Sequence, residues 1–379
     1  MRRSVLELVR RPIYWVGIFF LPLFGFLFMT TLMADGLPQR APAAIVDNDH
    51  SAMSRSITQQ LDGMQLVSID YAAESYSAAR HDMQEGKIYG FFLIPHNFQA
   101  DLLAGRKPEI TFYTNMAYYV PGELLYKTFK TTAVYTEAGV TSTLLSSVGM
   151  GEDEIMPLLQ PVKINTRPIG NPWLNYSVYL CNSFIPAILE LMIFLITVFS
   201  LGQEIKYGDS VRLMAMARGS ITRALIGKLL PQTLIWIVVA LFMQSWLFYW
   251  NGFPMHCPWW RMALSEVMFV LACQGFGLFV MSVMPNLRLA LSICSLTGIL
   301  AFSIAAFSFP VESMYPSIGI FSWILPTRYN FMIYIDQALN GRELYYSRIW
   351  YAAYIVFMLL PFTMAWRLKK YMLRPVYTP

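Results

Sequence analysis

Residues 13–33 read IYWVGIFFLPLFGFLFMTTLM, and residues 34–50 continue ADGLPQRAPAAIVDNDH. The first stretch carries no charge and is long enough to cross a bilayer, which takes about 20 apolar residues at 1.5 Å rise each. The second opens a polar run that lasts to about residue 174. The chain is then apolar almost to its end, in five further blocks of spanning length: 176–201, 225–250, 262–284, 289–309 and 349–366. A folded domain tied at both ends to membrane helices is the direct reading. The expected fold is an α-helical integral membrane protein with six transmembrane helices, plus an α+β extracytoplasmic domain inserted between helices 1 and 2. Residues 13–33 do not read as a cleavable signal peptide, because no small-x-small site follows before Asp35.

Composition agrees with that class. The 379 residues are 56% hydrophobic and only 13% charged, about half the charge density of soluble domains. Orientation follows from where lysine and arginine fall. One set of helix ends holds 14 cations, from Arg2, Arg3, Arg10 and Arg11 to Arg367, Lys369, Lys370 and Arg374, against the acids Glu7, Glu204 and Asp209. The polar domain holds 10 cations and 15 acids. Both termini are therefore expected in the cytoplasm and residues 34–174 outside it. Cations at membrane boundaries answer to anionic lipid and to the insertion bias, so the formal charge of +5 does not indicate nucleic-acid binding. The polar domain contains no cysteine, which excludes a disulfide framework there.

Along the chain, residues 1–11 suit a short interfacial elbow helix ahead of Pro12, so that 1–33 comprises the elbow and helix 1. Within 34–174, AAIVDND, QLVSIDY, IYGFFLIP and PEITFYTN read as strands with helical runs between them. A long helix is expected over 122–147 and a further strand around 162–167. Asp47, Asn48 and Asp49 read as the end of a strand and the cap of a helix, or as a metal loop. Residues 175–379 hold helices 2–6. Between helices 2 and 3, residues 204–223 are cationic and helically spaced, which suits either a solvated linker or a docking helix. Residues 310–347 are apolar but proline-broken, so short helices re-entering the outer leaflet are expected there.

Chemistry is scarce. Gly86-Lys87 and Gly227-Lys228 are the Gly-Lys pairs, and neither has the spacing or the following Ser or Thr of a phosphate-binding loop. The chain is therefore not expected to hydrolyse ATP. His50, His81, His96 and His256 share no ligand spacing, and no nucleophile motif is present. Glu190 and Glu266 fall inside spans, where an ionised carboxylate costs at least ~2.5 kcal/mol. Each reads either as a pathway-lining group or as an interhelical hydrogen-bonding acid. Pro186 is expected to kink helix 2 about one turn before Glu190.

Three stretches together resemble ABC-2 type exporter permeases of bacteria, in the subgroup with a large domain after the first helix. AIVDND, a helix and then EGKIYGFFLIPHNF place Gly86, Ile94, Pro95 and Phe98 as that family does. Glu204, Gly208, Ser220, Gly227, Lys228 and Pro231 match its coupling segment, and Pro310, Met314, Pro326 and Gly341 its outer region. Departures are Asp209 where Thr is frequent, Tyr315 where Pro is frequent, and Ile335-Asp336 near a frequent Arg. The resemblance implies the permease subunit of an ATP-binding cassette exporter, paired with a second permease subunit. Separate ATPase subunits would bind ATP and Mg and dock on Glu204, Gly208, Arg212, Arg218, Ser220 and Arg223. It implies residence in the bacterial inner membrane, a drug-like or lipidic substrate, and a periplasmic adaptor with an outer-membrane channel. A non-transporting receptor or scaffold, its outer domain binding a partner, is the alternative.

Overall fold

The computed structural model describes residues 1–375 apart from 33, 35, 38, 161–169, 172–174, 306 and 308. The strand expected around 162–167 lies outside the described residues. By contacts the chain forms two compact units, Met1–Gly36 with Arg167–Pro379, and Leu37–Thr166.

The chain opens with the elbow helix α1 (Arg2–Arg10) and, after Arg11, the apolar α2 (Pro12–Leu32). Pro12 starts α2 at the position where a missing N–H costs nothing.

The second unit is a mixed four-stranded sheet with helices on both faces. Its elements are β1 (Ala41–Asp47), α3 (Ala52–Asp62), β2 (Val67–Ala72), α4 (Tyr76–Gln84), β3 (Gly90–Ile94), α5 (Phe98–Leu103), β4 (Thr111–Thr114), the long α6 (Tyr119–Ser147) and α7 (Glu152–Leu159). Strand order is β2-β1-β3-β4; β1 pairs in parallel with β2 and β3, and β3 pairs antiparallel with β4. A helix after each of the first two strands supplies the crossover that parallel pairing needs. Alternation along β1 sends Ala43 and Ile45 into a core with Ile57, Leu61, Phe92, Leu125 and Phe129. Ala44 and Val46 face the opposite core with Ala79 and Phe91. Asp47 ends β1 and does not cap α3: its carboxylate accepts from the backbone N–H groups of Asp49 and His50 in a tight turn, and Ser51 supplies the cap, its Oγ accepting from Ser54 N. Asp49 caps a helix instead, its Oδ2 accepting from Gln99 N at 3.2 Å in the first turn of α5. Among the described residues no group of three or more metal-type ligands gathers, there or elsewhere.

The first unit resumes with α8 (Tyr176–Lys206), α9 (Ser210–Met216), α10 (Ile221–Trp250), α11 (Trp259–Val283), α12 (Leu287–Ile304), α13 (Pro316–Ser322), α14 (Pro326–Ile333), α15 (Arg348–Thr363) and α16 (Ala365–Leu373). Among the described residues five helices are long and apolar enough to cross a membrane: α2, α8, α10, α11 and α12. A sixth candidate is the pair α15 and α16, bent by 42°. The block read as one span over 349–366 is thus broken at Met364, three residues beyond Pro361. α8 is central, packing on α2, α11 and α12, and Pro186 lies inside it. Small residues allow close approach. A Cβ on Gly298 would sit 2.6 Å from the Leu191 side chain, and one on Gly275 would collide with the Phe357 carbonyl.

The charge bias yields a direct test of orientation. Gln60 is exposed on α3 and Met216 is 55% exposed on α9. Ser210, although it lies in the same segment as Met216, is fully buried and donates to Met372 O, so a thiol there would be protected on either side. Gln60→Cys in intact cells is expected to react with an impermeant maleimide and Met216→Cys only after permeabilisation. The opposite pattern inverts the orientation.

Candidate functional site

One end of the helical unit is knotted by four charged side chains from three helices. On α1, residues 3 and 7 lie one turn apart, and the Arg3 Nε–Glu7 Oε1 contact of 2.8 Å joins them. Arg3 Nη2 also reaches Glu204 near the end of α8 at 3.0 Å and Asp209 at 3.4 Å. Lys228, one turn into the apolar part of α10, donates to Glu204 Oε1 at 2.6 Å and to Glu7 Oε2. Glu204 and Lys228 are each 4% exposed. Two acids against two buried or half-buried cations neutralise one another where isolated charges would be costly. Burial works against the Glu7 charge, but hydrogen bonds from Lys228 and Arg3 outweigh it and hold that carboxyl below its ordinary range. Ser4 Oγ adds a bond to Gly227 O at 3.1 Å. The elbow is thereby fastened to both α8 and α10.

The segment 204–223, read as a solvated linker or as carrying a docking helix at about 208–217, is three pieces, with a short helix at Ser210–Met216. α8 ends at Lys206, and Gly208 takes φ +74°, a left-handed conformation that costs glycine little. The short α9 follows, anchored by buried Leu213 and Met214 and by the Ser210 bond to α16. Arg218 at φ +52° and Gly219 at φ +71° reverse the chain. Ser220 then caps α10, its Oγ accepting from Arg223 N. Arg212, Arg218 and Arg223 are exposed. Six residues expected to act together therefore divide: three exposed arginines form a cationic surface, Gly208 and Ser220 shape the backbone, and Glu204 turns inward to bind Arg3 and Lys228.

Glu190 and Glu266 meet at a different place. Both are buried inside the protomer, at 0% and 5% exposure. Glu190 Oε2 on α8 accepts from Thr327 N at 2.6 Å and from Thr327 Oγ, at the first turn of α14. An acid at that helix end satisfies orphan N–H groups and suits the helix dipole. Glu266 Oε1 on α11 accepts from Gln244 Nε2 and from Asn330 Nδ2, both at 3.1 Å. Two spans thus grip one short helix of the 310–347 region, which is a set of short helices as its prolines suggested. The remaining oxygens, Glu190 Oε1 and Glu266 Oε2, have no hydrogen-bond partner among the described residues.

Sequence reading did not single out Arg3, Glu7 or Arg328, and it noted Lys228 only within a motif. An ionisable residue one turn inside an apolar run was the available signal for Lys228. Arg328, 2% exposed with its guanidinium 4.6 Å from the Trp323 ring centroid, gave the same signal inside an apolar loop.

No curated protein matches the chain. The family model described as "ABC-2 family transporter protein" matches residues 12–366, from the first helix of spanning length to the start of α16. This multi-pass helical chain belongs to the ABC-2 transporter family, the membrane component of ATP-binding cassette transporters.

Proposed function

We propose that this chain is the permease subunit of an ATP-driven exporter with six membrane helices. Two such subunits, identical or similar, enclose the pathway, and separate ATPase subunits that bind ATP and Mg dock beneath them. Both termini and α9 then face the cytoplasm of a bacterial inner membrane, and residues 34–174 form the periplasmic domain. The observation that carries the reading is α9 itself, a seven-residue helix anchored by Ser210 and buried Leu213 and Met214, with Arg212 exposed on it and Arg218 and Arg223 exposed after it. An exposed cationic surface at the foot of α8 and α10 suits an ATPase with an acidic groove.

Nucleotide-driven movement of α9 would pass to α8 and α10 through the Arg3–Glu7–Glu204–Lys228 knot, biasing the bundle between two arrangements. Apolar walls suit an amphiphilic or drug-like cargo, and the periplasmic domain is the surface available to an adaptor that leads to an outer-membrane channel. Affinity purification of the tagged chain from its own membranes, with mass spectrometry of what it retains, tests the assembly. A stand-alone polypeptide with a phosphate-binding loop, in near-equal amount, is the expected companion. Repeated recovery of the chain with no ATPase would leave the scaffold alternative standing.

A further inference from the structure

A cavity of about 440 Å³ lies between α1, α9 and the first turns of α10. Its wall carries Arg2, Arg3, Arg218, Arg223 and Lys228 against the single acid Glu204. Lys228 and one arm of Arg3 are committed to Glu204 and Glu7. The other arm, Nη1, is buried out of reach of solvent in the cavity. Among the described residues Arg2, Arg218 and Arg223 form no ion pair and are exposed. Several uncommitted guanidinium groups around one cavity are the natural complement of an oxyanion with several acceptor oxygens. The volume admits more than a phosphate, since a water occupies about 30 Å³ in the liquid.

The location selects among anions. α1 buries Ser4 and Leu8 while Val5, Leu6 and Val9 stay exposed between Arg2 and Arg10. An apolar outer face with basic flanks is the pattern of a helix lying in the membrane interface. The cavity beside α1 therefore opens at headgroup depth, where anionic lipid is concentrated near basic residues. We propose that it binds the phosphate of an anionic phospholipid, bridging the elbow helix to the α9–α10 turn. The lipid gathers Arg2, Arg218 and Arg223, exposed cations of the cavity wall. The inference shares Arg218 and Arg223 with the docking surface proposed above, but it is read on the chain alone, without an ATPase, so its failure and the failure of docking are distinguishable.

Native mass spectrometry of the purified, delipidated full chain in detergent tests it, with short-chain phosphatidylglycerol, short-chain phosphatidylcholine and inorganic phosphate as separate probes. Phosphatidylglycerol is expected to be retained at least tenfold better than phosphatidylcholine. The variant Arg2→Gln/Arg223→Gln, both exposed positions, should lower that retention by about tenfold or more while the thermal midpoint holds. Met216→Glu, which sets an acid in the cavity wall, should act in the same direction and serves if the double variant misfolds. Equal retention of the two lipids, or undiminished phosphatidylglycerol in both variants, overturns the proposal. Displacement of the lipid by millimolar inorganic phosphate overturns the lipid assignment in favour of a free anion, and failure to displace supports it.

Discussion

Lys228→Met is expected to destabilise the protein by about 3 kcal/mol or more, the scale of breaking a buried ion pair by removing one partner. Methionine conserves much of the volume, so packing contributes little of the loss. What it leaves is Glu204, 4% exposed and dependent on Arg3 alone, and Glu7 without its Lys228 bond. The double variant Glu204→Gln/Lys228→Met should recover much of the stability. The introduced glutamine can still accept from Arg3, and Arg3 remains paired with Glu7 at 2.8 Å. A double-mutant cycle read by thermal unfolding of the purified chain isolates the pair. The sign of the pH effect is fixed by Glu7: its folded carboxyl sits below the ordinary 4.5, so its contribution is present above 4.5 and fades as pH falls through the depressed value. Lys228→Met melting with the parent would show that the knot is not holding α1, α8 and α10 together.

Glu190→Ala is expected to cost about 2–4 kcal/mol, and Glu190→Gln less than about 1 kcal/mol. Alanine removes the acceptor for Thr327 N and Thr327 Oγ and opens a cavity between α8 and α14. Glutamine can present its carbonyl oxygen to both donors while its amide occupies the place of Oε1, which has no partner to lose. Thr327→Val should resemble a mild form of the alanine change, since the backbone N–H still reaches Glu190. Thermal unfolding and the yield of folded protein report the difference. A glutamine variant that folds like the parent but loses transport would return Glu190 to the pathway-lining role considered from sequence.

Much of the architecture is written in hydropathy. The six apolar blocks and the strands AAIVDND and IYGFFLIP are legible because a span needs a fixed length of apolar residues and a strand core alternates with period two. The elbow is legible in the basic flanks of residues 1–11 and in Pro12. Pairings were not legible. Arg3 and Glu204 stand 201 residues apart, and Glu190 and Thr327 stand 137 apart. A carboxylate in an apolar run states only that it requires a partner, and several neighbours satisfy that condition equally well. For Glu190 the partner is an N-terminal helix turn, and Glu204 faces cations within its own chain where an external ATPase was expected. The break at Met364 was missed because hydropathy continues across it while the backbone turns.

ATP hydrolysis by the co-purified complex reconstituted in liposomes bears most directly on the permease reading. The comparison is the parent against Arg212→Glu/Arg218→Glu, whose two positions are exposed at either end of α9. The expected result is loss of the ATPase subunit, or of cargo-stimulated hydrolysis, by at least tenfold with insertion and thermal midpoint unchanged, as reversed charges repel an acidic docking surface. Full association and hydrolysis in that variant would contradict the account and leave residues 204–223 as a solvated linker.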